Sequence, residues 1–108
     1  MINAVIIEDE KDAQEKLSST LKEVAPGLNV VAILTSVKES INYFKTSPPI
    51  DIIFCDVQLP DGLSFEIFSE TQIKIPVIFI TGFDNFLVVV DMLLVTFLND
   101  FFADFNVI

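Results

Sequence analysis

The chain alternates between short apolar runs and stretches with helical spacing, and this pattern limits its fold more than any other feature. Apolar runs predict four strands, at residues 2–7, 28–34, 50–55 and 75–80. Three helices are predicted between them, over residues 11–25, from a capping box at Ser36 to the Pro48 break, and over residues 63–70. Strands joined by helices imply right-handed crossovers and a parallel sheet covered on both faces, which is a doubly wound α/β fold. A chain of 108 residues forms one such domain.

Acidic side chains come directly after two of the predicted strands. Glu8 and Asp9 follow the first strand, and Asp56 closes the third. The carboxyl ends of parallel strands meet at one edge of a sheet, so these carboxylates are expected to lie together. Like charges crowded in this way favour a cation between them, and the pattern therefore predicts a divalent metal site. Two other interpretations stay open: Glu8 and Asp9 as caps of the first helix, and Asp56 as a solvated loop acid.

Composition excludes several classes of function. The net charge is −10, with six lysines and neither arginine nor histidine, which excludes unaided nucleic-acid binding and histidine-based catalysis. The single cysteine, Cys55, excludes an internal disulfide and is interpreted as a small core residue. No apolar run approaches the ~20 residues that span a bilayer, and the N-terminus lacks a secretion signal. We therefore expect a cytoplasmic protein that does not associate with membranes.

Three segments taken together resemble the receiver domain of two-component response regulators: residues 6–10, residues 51–62 and residues 75–82. The middle segment is most similar to receivers that precede LytTR-type DNA-binding domains. The resemblance runs from residue 1 to about residue 86, so the chain is expected to be a single receiver domain over residues 1–108 with a divergent segment at 87–108. It implies a flavodoxin-like, CheY-like fold with five parallel strands. In the divergent segment, we predict a helix over about 85–95 and the fifth strand within about 96–102.

The resemblance also implies a role for each candidate residue. Asp56 would be the phosphoacceptor, receiving its phosphoryl group from a histidine kinase. Mg²⁺ would be bound directly by Asp9 and Asp56, through water by Glu8, and by the backbone carbonyl of Gln58. Thr81 would be the switch hydroxyl that contacts the phosphoryl group. The result would be a changed protein-interaction surface rather than substrate turnover, so the domain is not expected to be an enzyme.

The C-terminal segment departs from the family. The family has a lysine followed by a proline after its fifth strand, whereas no lysine follows Lys74 and no proline follows Pro76. The chain also ends before the family's last helix, which would expose an apolar surface. Natural divergence, with the surface covered by homodimerisation, is one explanation; a truncation or frame change after about Phe86 is another.

The missing lysine supports an alternative function, a degenerate receiver that acts as a phosphorylation-independent interaction or dimerisation module. A metal-dependent phosphohydrolase is a weaker third hypothesis. Such an enzyme would need a general acid two residues after Asp56, and that position is Gln58.

Overall fold

The computed structural model describes residues 1–80 and the strand at residues 87–90. Strands and helices alternate, as the apolar pattern predicts. The elements are β1 (Ile2–Ile7), α1 (Lys11–Val24), β2 (Leu28–Leu34), α2 (Val37–Phe44), β3 (Ile52–Asp56), β4 (Gln58–Leu59), β5 (Gly62–Leu63), α3 (Phe65–Thr71), β6 (Val77–Ile80) and β7 (Leu87–Val90). Their bounds agree closely with the predictions up to residue 80, apart from the small β4–β5 hairpin, which was not predicted.

The main sheet has the strand order β2-β1-β3-β6-β7. The first four strands are parallel, with β1 between β2 and β3, and β6 on the far side of β3. This arrangement confirms the predicted doubly wound α/β sheet for those four strands. It also brings the carboxyl ends of β1 and β3 side by side, because Ile7 pairs with Cys55.

The fifth strand corrects two predictions. β7 runs antiparallel to β6, with Ile80 opposite Leu87, so the sheet is not parallel throughout. Residues 87–90 form this strand and not the predicted helix over about 85–95. Only six residues separate β6 from β7, whereas a parallel crossover needs about a dozen or more. Three consecutive valines also favour a strand. The strand predicted at about 96–102 and the place of the family's last helix lie outside the described residues.

Helices cover both faces of the sheet. On one face, Leu21 of α1 packs with Ala4, Ile6 and Phe54. On the other face, α2 and α3 contribute Val37, Phe44, Ile67 and Phe68 to the larger core. Phe68 is fully buried and meets the ring of Phe79 edge to face, with centroids 6.0 Å apart. Burial of such a side chain stabilises the fold by about 1.5–3 kcal/mol.

The predicted capping box is present at the start of α2. Ser36 is the N-cap residue, and its Oγ accepts a hydrogen bond from the backbone N–H of Glu39 at 3.1 Å. The Glu39 carboxylate accepts one from the backbone N–H of Thr35 at 2.8 Å. The reciprocal bond thus reaches one residue further back than the usual motif, which pairs it with the N-cap residue itself.

Two expectations drawn from composition can be compared with the structure. Cys55 is fully buried, and burial raises the pKa of its thiol to about 12, so it is an inert core residue as interpreted. Its thiol donates to the carbonyl oxygen of Asp56 at 3.2 Å.

Within the described part of the chain, no helix is both long and apolar enough to cross a membrane.

Candidate functional site

The acidic residues that follow β1 and β3 meet at the carboxyl edge of the sheet. Glu8 and Asp9 come directly after β1, and Asp56 is the last residue of β3. Each contributes a carboxylate oxygen, and these three oxygens lie within 4.8 Å of one another. Oxygens on opposite sides of an octahedral Mg²⁺ ion are about 4 Å apart, given Mg–O bonds of about 2.1 Å. The spacing therefore suits a single Mg²⁺ ion with small adjustments or with a bridging water. We call Glu8, Asp9 and Asp56 the acidic cluster.

The electrostatics of the cluster are unfavourable without a cation. Partial burial raises the pKa of Glu8, and the charges of Asp56 and Asp9 raise it further. Burial is also the main cause of the raised pKa of Asp56, with smaller contributions from the charges of Asp9 and Glu10. Hydrogen bonds from backbone N–H groups, from Glu10 to Glu8 and from Gln58 to Asp56, offset these effects only in part. A bound cation would relieve both the burial cost and the repulsion.

Hydrogen bonds to β2 and from α1 hold both backbone groups of Glu8, which lies in the β1–α1 loop. The backbone N–H of Glu8 donates to the carbonyl of Leu34 at 2.9 Å, and its own carbonyl accepts from Gln14 Nε2 at 2.7 Å. Its carboxylate accepts from the backbone N–H of Glu10 at 3.1 Å. Glu10, the N-cap residue of α1, makes no side-chain capping bond. The Glu8 carboxylate therefore bonds to the residue just before the helix and not to the helix itself.

The β3–α3 loop orients Asp56. The backbone N–H of Gln58 donates to Asp56 Oδ1 at 3.3 Å. Asp56 is partly buried, unlike a solvated loop acid. Gln58 itself begins the β4–β5 hairpin, in which it pairs with Leu63. Gln58 is exposed, and the predicted use of its backbone carbonyl as a metal ligand stays a prediction.

Asp61 has a contact that sequence analysis missed. The segment Pro60-Asp61-Gly62 is typical of a turn and indicates no partner for the carboxylate. In the structure the two carboxylate oxygens of Asp61 accept hydrogen bonds from the backbone N–H groups of Val37 (2.8 Å) and Lys38 (3.0 Å) at the start of α2. These bonds lower the pKa of Asp61. No local spacing could have revealed the contact, because its partners lie 23 and 24 residues earlier in the chain.

Gly62 follows Asp61 in a conformation that favours glycine, with φ at +149°. A Cβ atom there would also come within 2.9 Å of Glu66 Oε2.

The remaining predicted site residue, Thr81, lies outside the described residues, as does the region where the family has its lysine. The structure therefore brings together Glu8, Asp9 and Asp56, with Gln58 bonded to the last of them.

Comparison with known proteins supports the sequence resemblance. The family model described as response regulator receiver domain matches residues 4–102. A response regulatory protein of Yersinia pestis is 28% identical over 88 residues, which are 80% of this chain and 36% of the relative. A Vibrio cholerae response regulatory protein is 27% identical with the same coverage. The chain thus spans about a third of the length of the curated relatives it matches.

Solved structures agree. The response regulator PhyR from Brucella abortus is 30% identical and superimposes with a TM-score of 0.63, over 75% of this chain and 33% of that one. A complex of the P1 domain of CheA3 with CheY6 from R. sphaeroides is similar at 22% identity, with a TM-score of 0.60 over 75% of this chain and 64% of that one, which supports the fold alone. The doubly wound parallel strands and the family match over residues 4–102 lead to one conclusion. The chain belongs to the response regulator receiver domain family.

Proposed function

We propose that this domain accepts a phosphoryl group on Asp56 from a histidine kinase, in a Mg²⁺-dependent reaction, and thereby switches a protein-interaction surface. The observation that carries the proposal is the acidic cluster, whose three carboxylate oxygens from two neighbouring strand ends lie within 4.8 Å of one another. Receiver domains are signalling modules of two-component systems, and the proposal extends that general role to particular residues. We do not assign the domain an enzymatic turnover.

The donor set fits Mg²⁺, which prefers oxygen ligands and retains several waters. In the proposed site Asp9 and Asp56 would bind the ion directly, Glu8 would bind it through water, and Gln58 would contribute its backbone carbonyl. The ion, when bound, neutralises charge on the carboxylates and on the incoming phosphoryl oxygens. The raised pKa values of Glu8 and Asp56 support this assignment, because burial and neighbouring acids outweigh the backbone hydrogen bonds that these carboxylates accept.

The proposed reaction is a phosphoryl transfer between two side chains. A carboxylate oxygen of Asp56 forms a bond to phosphorus as the P–N bond of the kinase phosphohistidine breaks, and the electron pair of that bond stays on the imidazole nitrogen. The N–H of Gln58 holds Asp56 Oδ1 in place. Thr81 is proposed to donate its hydroxyl to a phosphoryl oxygen and to act as the switch. Membership of the receiver domain family, whose members signal in two-component systems, supports a histidine kinase as the partner.

We also propose a setting for the domain. A net charge of −10 argues against nucleic-acid binding by this domain itself, and we place it in the cytoplasm without membrane contact. Since the chain spans only 36% of its curated relatives, an output domain of the LytTR type is compatible with their extra length. Residues 87–108 are proposed to be a divergent segment of the domain. Homodimerisation stays a prediction.

A second candidate function is a degenerate receiver that binds a protein partner or dimerises without phosphorylation. The absence of any lysine after Lys74 favours it, because the family's lysine contacts the phosphoryl group. The sequence at residues 99–105, about where that lysine is expected, carries an acid that would repel the same group. The acidic cluster favours the first function, since a pure interaction module has no need to crowd three carboxylates.

One experiment distinguishes the two functions. The protein is incubated with Mg²⁺ and a small phosphodonor such as acetyl phosphate, and intact mass is measured. We expect the mass gain of one phosphoryl group, lost in Asp56→Asn and on removal of Mg²⁺ by a chelator. Asp51→Asn, which changes an exposed aspartate just before the other end of β3, is the matched control and should be phosphorylated normally. Absence of any mass gain in the wild type would favour the degenerate receiver.

A further inference from the structure

The start of α2 is held by two separate segments of the chain. Asp61, at the tip of the β4–β5 hairpin, accepts from the first two N–H groups of the helix, those of Val37 and Lys38. Ser36, the helix's own N-cap residue, accepts from the third, that of Glu39. The helix thus has a local cap and a distant one. The distant cap joins α2 to the loop that follows Asp56.

That loop is closed at its base as well as at its tip. The backbone N–H and the Oγ of Ser64 both donate to the carbonyl of Val57, at 2.9 and 3.2 Å. Gln58 pairs with Leu63 across the hairpin, and the neighbouring Leu59 is buried in the core. Hydrogen bonds thus close the hairpin at both ends, and the bonds of Asp61 at its tip tie the strand that carries Gln58 to the start of α2.

Gln58 connects this unit to the acidic cluster. Its N–H donates to Asp56 Oδ1, and its carbonyl is the proposed backbone ligand of Mg²⁺. We propose that Asp61 is a positioning residue, which fixes the hairpin against α2. The contact thereby orients Gln58 and the Asp56 carboxylate for binding of the metal ion and the phosphoryl group. This inference rests on the proposed function of Asp56. It also implies that movement of the loop upon phosphorylation reaches the start of α2 directly.

Ser36→Ala is a matched control, because it removes a cap from the same helix end without touching the hairpin. Asp61→Ala and the milder Asp61→Asn are compared with it in Mg²⁺ titrations followed by calorimetry and in the rate of phosphorylation by acetyl phosphate. Loss of groups that orient metal ligands commonly lowers affinity by about 10–100-fold. We expect Asp61→Ala to lower Mg²⁺ affinity and phosphorylation rate by about tenfold, Asp61→Asn by less, and Ser36→Ala by under about twofold.

Amide hydrogen exchange measured without Mg²⁺ supplies a readout that depends neither on metal binding nor on phosphorylation of Asp56. In Asp61→Ala, the amide of Gln58 should exchange faster along with those of Val37 and Lys38. In Ser36→Ala, faster exchange should be confined to the helix end, including Glu39. If Asp61→Ala and Ser36→Ala change Mg²⁺ affinity and Gln58 exchange equally, Asp61 is only a helix cap and the inference is wrong.

Failure of the proposed function would look different. In that case the wild type itself would neither bind Mg²⁺ nor gain a phosphoryl group. Faster exchange at Gln58 in Asp61→Ala would then still show that Asp61 positions the hairpin, whereas unchanged exchange there would overturn the inference as well.

Discussion

Two carboxylates only five residues apart in the β3–α3 loop have opposite surroundings. Asp56 is partly buried beside other acids, which raises its pKa, whereas Asp61 accepts two backbone hydrogen bonds, which lower its pKa. The ionised Asp61 therefore stabilises the fold, and the ionised Asp56 opposes it. At Asp61 backbone hydrogen bonds outweigh burial, whereas at Asp56 burial and the charges of other acids outweigh the backbone hydrogen bonds, and no positive charge among the described residues contributes. A carboxylate in that state is suited to bind a cation.

The largest expected effect that tests this contrast between Asp56 and Asp61 is stabilisation of the folded domain by Mg²⁺. A ligand that binds only the folded state at 100 times its Kd stabilises it by about 2.7 kcal/mol. We expect the thermal unfolding midpoint of the wild type, followed by circular dichroism, to rise with Mg²⁺ concentration. Asp56→Asn should lose most of this rise, and Asp51→Asn should keep it. An equal rise in the wild type and in Asp56→Asn would place the ion elsewhere.

Loss of the distant cap is the next largest effect. Asp61→Ala should lower the free energy of unfolding by about 1 kcal/mol at pH 7, the usual size of a capping interaction. Because the folded-state pKa of Asp61 is lowered, this stabilisation is present above its unfolded pKa and is lost as pH falls through the lower folded value. Urea unfolding of both proteins between pH 7 and pH 3 measures the difference. If the difference in free energy of unfolding between the two proteins grew as pH fell, the assigned role of Asp61 would be contradicted.

The smallest effect has the opposite sign. Without Mg²⁺, Asp56→Asn should raise the free energy of unfolding at pH 7 by roughly 0.5 kcal/mol, since the charge is partly exposed and screened. The folded-state pKa of Asp56 is raised, so its unfavourable contribution exists above that pKa and fades as pH falls through it. The two urea curves should therefore converge towards pH 4. If metal-free Asp56→Asn were less stable than the wild type at pH 7, the claim that ionised Asp56 opposes folding would be wrong.

Much of the fold could be predicted from sequence because it depends on local patterns. Continuous apolar runs identified the four parallel strands, and the placement of Glu8, Asp9 and Asp56 at strand ends predicted their meeting. The antiparallel β7 was missed because a short apolar run does not distinguish a helix from a strand, and because the family resemblance favoured a parallel fifth strand. Its direction depends on how little chain separates it from β6.

The contact of Asp61 could not be predicted for a different reason. Pro60, Asp61 and Gly62 are residues typical of turns, so a turn alone is enough to explain why they occur here. The partners of the carboxylate are backbone N–H groups, which leave no mark in the sequence. Only the packing of the hairpin beside α2 reveals them. The role of Thr81 stays a prediction, as do the metal ligands and the phosphoacceptor.

Paramagnetic broadening by Mn²⁺ in place of Mg²⁺ tests the shared metal site most directly. In a ¹H–¹⁵N NMR spectrum with substoichiometric Mn²⁺, the amide signals of Glu8, Asp9, Asp56 and Gln58 should disappear first. Excess Mg²⁺ should restore them, and the signals of Asn3 and Asp51 at the opposite end of the sheet should persist throughout. Uniform weak broadening, or loss of signals centred away from residues 8, 9 and 56, would contradict a metal ion held by these three carboxylates.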